Sequence, residues 1–358
     1  MRPMAAAPIA EIAAAFRAQA QTCRVTGSGL YAELLGRAAQ DLAAGGALAA
    51  LFQGWSGEVQ SSQVALRFAG GLHWLALEGR APALSAQFPS TGGAPDAGLW
   101  AAVMAAAMGE PETMRRFLAG PPQTNEAGRS AALLGGFLRV ARLSGLPLAT
   151  REVGASAGLN LHWHRYAYRL GGYRWGPSAA PALRLDAEWR GPAADFELNP
   201  RVVSTAGCDL APLDPADGAA RRRLEAFVWA DQLPRLATLR RALDYAAAAP
   251  ERVERASAAA WVARQLAARP EGAATVVYHS VVRQYFDPAE GAAFDAAIAA
   301  AGEAADTSRP VAWLRLEQSG PNRQMELRLR YWPGGGAGAD DRPLALTHPH
   351  GAWVEWRG

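Results

Sequence analysis

Leu148-Ala149-Thr150-Arg151-Glu152-Val153-Gly154-Ala155-Ser156-Ala157-Gly158-Leu159-Asn160 is the stretch on which the reading of this chain turns. Gly145-Leu146-Pro147 stops the helical run before it, and Leu148 to Val153 then reads as a short strand ending in an acid. The small residues and glycines that follow let the backbone approach a ligand closely, with N–H groups exposed where a helix begins. Two chemistries compete for this pattern. Gly154-Ala155-Ser156-Ala157-Gly158 fits a G-x-S-x-G nucleophile elbow with Ser156 as nucleophile, and Glu317 with His348 or His350 would complete a triad. Alternatively the segment is a cofactor loop, with Glu152, Gly154, Ser156, Gly158 and Asn160 around the ligand. Position favours the second. A hydrolase elbow follows several strands, whereas almost everything before residue 148 reads as helix, which makes Leu148–Val153 the first strand of its sheet. A tight turn with no ligand is the plain structural alternative.

Upstream, apolar residues recur at three- and four-residue spacing from Ile9 to Cys23, Leu30 to Phe52, Val64 to Leu77 and Gly98 to Met108, which predicts helices. Pro121-Pro122 closes this part. Thr124 or Asn125 then reads as the N-cap of a helix that runs through Ala141 to the stop at Gly145-Leu146-Pro147, and in its first turn Arg129 opposes the macrodipole. That misplacement points to a carboxylate partner for Arg129. Downstream the texture changes to short strands. Tyr166 to Trp175 reads as a hairpin about Gly171-Gly172, and Leu183 to Trp189, Val202 to Cys208, Arg252 to Arg255 and Thr275 to Val282 read as strands. Val311 to Glu317, Met325 to Trp332 and Ala352 to Trp356 follow. Helices are expected over about 216–248, to Ala267, and over Pro288 to Ala301; Gly334 to Gly338 reads as a loop. The alternation predicts an α/β fold with a mainly parallel sheet and an antiparallel edge. A helical N-terminal subdomain (1–120) precedes a sheet domain (121–358) that carries a hairpin insertion at about 162–200.

The 358 residues include 36 basic ones, all arginine. Without lysine, Schiff-base, P-loop and Ser–Lys chemistries are excluded. The net charge of +3 is spread through the chain with acids interleaved, the densest run being Arg221, Arg222 and Arg223, so no nucleic-acid footprint is expected. Two cysteines make no disulfide framework, and no apolar run is long enough to span a bilayer, which together predict a cytoplasmic protein. His162-x-His164 and His348-x-His350 would each present two imidazoles on one face if extended, but neither has a third ligand, so no metal is expected. His279, at the end of the most buried strand, is the general-base candidate. Asn322-Arg323 would lie at the same sheet edge as the glycine loop.

The arrangement E-x-G-x-S-x-G after a first strand resembles the first motif of class I S-adenosylmethionine-dependent methyltransferases rather than the G-x-G-x-x-G dinucleotide fingerprint. The resemblance implies a Rossmann-like fold and S-adenosylmethionine as cofactor. Asp209, in Gly207-Cys208-Asp209-Leu210, matches the acid that holds the ribose hydroxyls, and Asn125 and Arg129 would meet the cofactor's carboxylate. Ser257 stands where the adenine-reading acid is expected, and Asp231 is the substitute. Gln123-Thr124-Asn125-Glu126 with Arg129 and Ser130, Glu152 to Asn160, Gly207 to Leu210 with Pro212, and His279-Ser280-Val281 are together similar to the uncharacterised bacterial family called domain of unknown function 2332. The expectation is S-adenosylmethionine binding, with methyl transfer to a small molecule and His279 accepting a proton. A serine hydrolase using Ser156 and a non-catalytic binding protein are the alternatives.

Overall fold

The structure, a computed structural model, describes residues 7–56, 59, 63–179, 181, 183–320, 324–335 and 339–358. Asn322 and Arg323 lie outside the described residues. The chain divides into two compact units, one formed by residues up to Thr124 with Gly218–Ala237, the other by Asn125–Asp217 with Thr238–Gly358.

The first unit is helical: α1 (Ile9–Val25), α2 (Gly29–Ala43), α3 (Val64–Leu77), α4 (Pro82–Ser85), α5 (Leu99–Gly109) and α6 (Pro111–Ala119). Their apolar faces close on one core that includes Phe16, Leu35, Phe52, Phe68 and Phe88. The single helix expected over Leu30 to Phe52 is broken, because Gly45-Gly46 ends α2 and Ala47–Phe52 continues as a 3-10 segment. Arg221, Arg222 and Arg223 fall on a helix that this unit takes in from the middle of the chain, α8 (Gly218–Ala226), after α7 (Ser130–Ser144) of the second unit. The long helix expected over 216–248 is two, α8 and α9 (Leu233–Ala248), separated by a segment containing Val228 and Trp229. Trp229 stacks on Tyr31 at 6.0 Å, so burying this apolar linker outweighs helix continuity.

The second unit carries the strands: β1 (Leu148–Val153), β2 (Ala167–Leu170), β3 (Tyr173–Trp175), β4 (Arg184–Arg190), β5 (Val202–Asp209), β6 (Val253–Arg255), β7 (Ala274–Ser280), β8 (Val311–Ser319), β9 (Gln324–Trp332), β10 (Asp340–Thr347) and β11 (Trp353–Trp356). They follow the order β3-β2-β4-β11-β10-β9-β8-β7-β1-β5-β6. Pairing is parallel throughout β6-β5-β1-β7-β8 and antiparallel along β8-β9-β10-β11, which makes the fold mixed α/β with a large, mostly parallel sheet. All six residues of β1 are buried, as expected of a parallel strand covered on both faces. On one face, Trp261 and Val262 of α10 (Ala258–Ala267) and Phe294 and Ile298 of α11 (Pro288–Glu303) pack on Val153, Cys208 and Val277. β4 alternates exposed and buried instead, with one face solvated. β10, which the sequence reading passed over, is disguised there by the charges of Asp340, Asp341 and Arg342 and by Pro343, which sits beside a register shift against β9.

Candidate functional site

The carboxyl ends of β1, β5, β7 and β8 lie along one edge of the sheet, since these strands run the same way. From β1 the order steps to β5 and β6 on one side and to β7 and β8 on the other. Strand order therefore reverses at β1, the point where an open α/β sheet leaves a crevice outside its carboxyl ends.

The loop leaving β1 has left-handed backbone at Gly154 (φ 70°), Ser156 (φ 53°) and Gly158 (φ 77°). Gly154 is also tightly packed: a Cβ there would lie 2.3 Å from Cγ2 of Val282. Protein acceptors hold the loop's backbone donors. Ser156 N donates to Asp209 Oδ2 (2.9 Å), Ala157 N and Leu159 N to Asn125 Oδ1 (3.2 and 3.1 Å), and Ala155 N to Cys208 O (3.0 Å). A pyrophosphate would have to displace these partners, so the loop does not serve as an anion cradle of the dinucleotide kind. Asp209 keeps acceptor capacity, because Oδ2 takes one N–H and Oδ1 takes that of Ala211 (2.8 Å), leaving a lone pair on each oxygen. Ser156 is 7% exposed, and its Oγ is buried with no hydrogen-bond partner. Such an orphan hydroxyl costs about 1–3 kcal/mol and marks a place where a ligand's polar group would be welcome.

Beneath the loop lies a hydrogen-bonded strut. The Tyr278 hydroxyl is 3.3 Å from Glu152 Oε2 and 3.2 Å from the Asn160 carbonyl, and Ser130 Oγ donates to Asn160 Oδ1 at 2.7 Å. Burial pushes Glu152 up to about 8, against the opposing hydrogen bonds from Asn160 and Tyr278. Glu152 thus holds a proton at neutral pH and braces the strand end rather than presenting a charge. Arg129, also buried, donates from Nε to Pro349 O (3.0 Å), with an Nη 3.5 Å from both the carbonyl and hydroxyl oxygens of Ser280. Asn125 is not the cap of α7, which begins at Ser130; the two loop amides claim its carbonyl instead.

His279 follows Tyr278 in β7, and alternation sends it to the opposite face. It is fully buried, 5.8 Å from the Phe294 ring and 6.1 Å from that of Trp313. Its Nδ1 lies 2.7 Å from Glu317 Oε1, which also accepts from Val282 N (2.9 Å) and Arg283 N (3.3 Å). Burial raises the Glu317 carboxyl, but His279 and the two amides outweigh it and hold the group below its ordinary value. The pair fixes the turn at Val281, whose φ is 57°, and that turn presses Val282 onto Gly154. Glu317 is therefore spent on His279 rather than on His348 or His350, and His348 Nδ1 accepts instead from His350 N at 3.1 Å. No imidazole among the described residues is hydrogen-bonded to Ser156 Oγ.

The structure brings Asn125, Arg129, Glu152, Gly154, Ser156, Gly158, Asn160 and Asp209 to the carboxyl edge and its immediate support. Ser257 lies at the N-cap of α10, two residues past Arg255, the partner of Asp209 across β5 and β6. Asp231 belongs to the other unit, where its carboxylate accepts from Ser28 Oγ (2.9 and 2.8 Å) and Leu30 N (3.4 Å) and anchors the start of α2. His162 and His164 lie on a 3-10 segment (Leu159–Arg165) rather than on extended chain, and burial pushes both down to about 4. The sequence reading missed Tyr278, Ser130 and the latch role of Glu317. Two signals were available: Tyr278 sits next to His279 in a buried strand, and Ser130 stands in the family-matching segment with Arg129.

The family described as "Uncharacterized protein conserved in bacteria (DUF2332)" matches residues 13–356, and the chain belongs to it. No curated protein and no solved structure matches the chain.

Proposed function

We propose that this member of the DUF2332 family binds S-adenosylmethionine, or a nucleoside ligand like it, at the carboxyl end of β1 and transfers its methyl group to a small molecule. The observation that carries this reading is the pairing of the loop with Asp209 at the strand-order reversal: the carboxylate accepts Ser156 N and still offers a lone pair on each oxygen. A ribose with two vicinal hydroxyls fits that acceptor set, whereas occupied loop amides disfavour a pyrophosphate. The orphan Ser156 hydroxyl supplies one more polar contact for the ligand.

When bound, S-adenosylmethionine supplies an electrophilic methyl group on a sulfonium centre. The chain's residues bind and orient. Asp209 would take the ribose hydroxyls, Ser156 an adjoining polar atom, and Arg129 with Asn125 would flank the ligand's amino-acid end. Glu152, Tyr278 and Asn160 support the loop from below, and the pair of buried His279 with half-buried Glu317 positions the Val281–Arg283 turn. Rate enhancement would then come mainly from placing donor and acceptor in line. A thermal-shift panel of S-adenosylmethionine, S-adenosylhomocysteine, NAD and AMP tests this. Stabilisation by the first two only is expected, and stabilisation by NAD alone would overturn it.

A second reading keeps one observation in its favour. Ser156 combines a left-handed backbone with an unpartnered hydroxyl, the strain expected at a nucleophile elbow. Covalent labelling of Ser156 by a fluorophosphonate would support it, and an unlabelled Ser156 would remove it.

A further inference from the structure

We propose that Ser90 and His73 of the helical unit form a second reactive site, a serine–histidine pair that attacks small carboxylic esters. His73 lies on α3, fully buried, and its two ring nitrogens have different partners. Nδ1 is 3.2 Å from the Ala226 carbonyl and Nε2 is 2.7 Å from Ser90 Oγ. A carbonyl oxygen only accepts, so the ring proton sits on Nδ1. Nε2 is then a bare acceptor, and the Ser90 hydroxyl must donate to it. A nucleophile bonded to a base that a third group orients is the arrangement of serine catalysis, with a backbone carbonyl here in the orienting place. Burial pushes His73 down to about 4, so the ring is neutral and available as a base at physiological pH, although a weak one.

The serine is held in place from both sides. Ser90 is half-buried on a one-turn segment (Pro89–Thr91). Thr91 Oγ1 donates to Ser85 O (2.7 Å) and lies 2.9 Å from Phe88 O, while Gly93 N donates to Phe88 O (3.0 Å) and Ala94 N to Ala86 O (2.9 Å). Gln87 and Asp96 exchange two further bonds, Gln87 Nε2 to Asp96 Oδ1 (2.9 Å) and Asp96 N to Gln87 Oε1 (2.8 Å). The Phe88 ring meets the imidazole edge-on at 5.8 Å, which fixes the ring plane. A pair locked by its surroundings in this way has the geometry that reactive sites require. In the reaction, Ser90 Oγ bonds to the ester carbonyl carbon while its proton passes to His73 Nε2. The imidazolium, held by Ala226 O, returns that proton to the departing alkoxide as the carbon–oxygen ester bond breaks. Water, deprotonated by His73, then releases the acid and restores Ser90.

The test uses the intact chain, a fluorophosphonate probe and p-nitrophenyl acetate, with the labelled residue mapped by mass spectrometry. Labelling at Ser90 is expected, lost in Ser90→Ala and slowed roughly 10²-fold or more in His73→Gln. Far-UV circular dichroism shows that the variants are folded; if His73→Gln is not, the mapping result in Ser90→Ala stands alone. No label on wild type, label at another serine only, or an unchanged rate in folded His73→Gln would each overturn the pair. Label at Ser156 alone would speak for the elbow reading and against this one, and none of these outcomes bears on nucleoside binding.

Discussion

Asn125 shows how much a single side chain decides. Its one carbonyl oxygen satisfies two buried amides, Ala157 N and Leu159 N. Asn125→Ala leaves both donors buried, and the expected loss is about 2–4 kcal/mol, read as a shifted midpoint in urea unfolding. Asn125→Asp keeps the acceptor and is expected to lose much less. Glu152 makes a prediction of opposite character. Its carboxyl is raised from the ordinary 4.5 to about 8, so the folded state binds the proton more tightly than the unfolded chain does. Stability from this group is fully present below about 4.5 and is lost as pH rises toward 8. Glu152→Gln keeps the neutral form and is expected to flatten the decline, matching wild type near pH 4 and exceeding it increasingly as pH rises toward 8 in denaturant titrations. A variant whose pH profile parallels wild type would show that Glu152 is ionised when folded. The sequence placed both residues near the glycine loop but gave them ligand roles. Burial and hydrogen-bond partners, which pattern reading does not supply, add that Asn125 also braces the loop and that Glu152 is buried on the Tyr278 hydroxyl.

At the scale of elements, β7 and β8 meet in a latch. Glu317 at the end of β8 gathers His279 of β7 and two amides of the following turn, and that turn seats Val282 against Gly154. Glu317→Ala is expected to free the turn, raising amide exchange over 281–286 and 153–158 together and weakening nucleoside binding, while amides in the middle of β7 stay protected. Exchange rising in 281–286 alone would show that the two loops are not coupled. Helix and strand identity in this half was legible from apolar runs and their Gly and Pro boundaries, as at Pro147 before β1 and Asp287-Pro288 before α11. The break at Phe227-Val228-Trp229 was not, because it follows from packing against residues far along the chain, with Trp229 on Tyr31. Asp231 was misread for the same cause, since its partner Ser28 is some two hundred positions away in sequence.

Across the whole molecule, the lysine-free basic charge is locally answered. Arg169 with Asp186, Arg190 with Glu188, Arg264 with Glu254 and Arg357 with Glu355 pair at the surface. Such exposed pairs add little stability, but each sets an acid beside an arginine and so weakens a local field that could steer nucleic acid. Fluorescence anisotropy with a duplex at physiological salt is therefore expected to show no binding at micromolar protein, and salt-dependent micromolar affinity would contradict this. Among the described residues no helix is long and apolar enough to cross a membrane. What remains distinctive is one sheet whose strand order reverses beside a glycine loop tied to Asp209. Titration calorimetry with S-adenosylhomocysteine on wild type and Asp209→Ala tests that claim most directly. Saturable one-to-one binding, weakened at least about tenfold (about 1.4 kcal/mol) in the variant, is the predicted result. Absence of heat at millimolar ligand, or equal affinity in the two proteins, would contradict it.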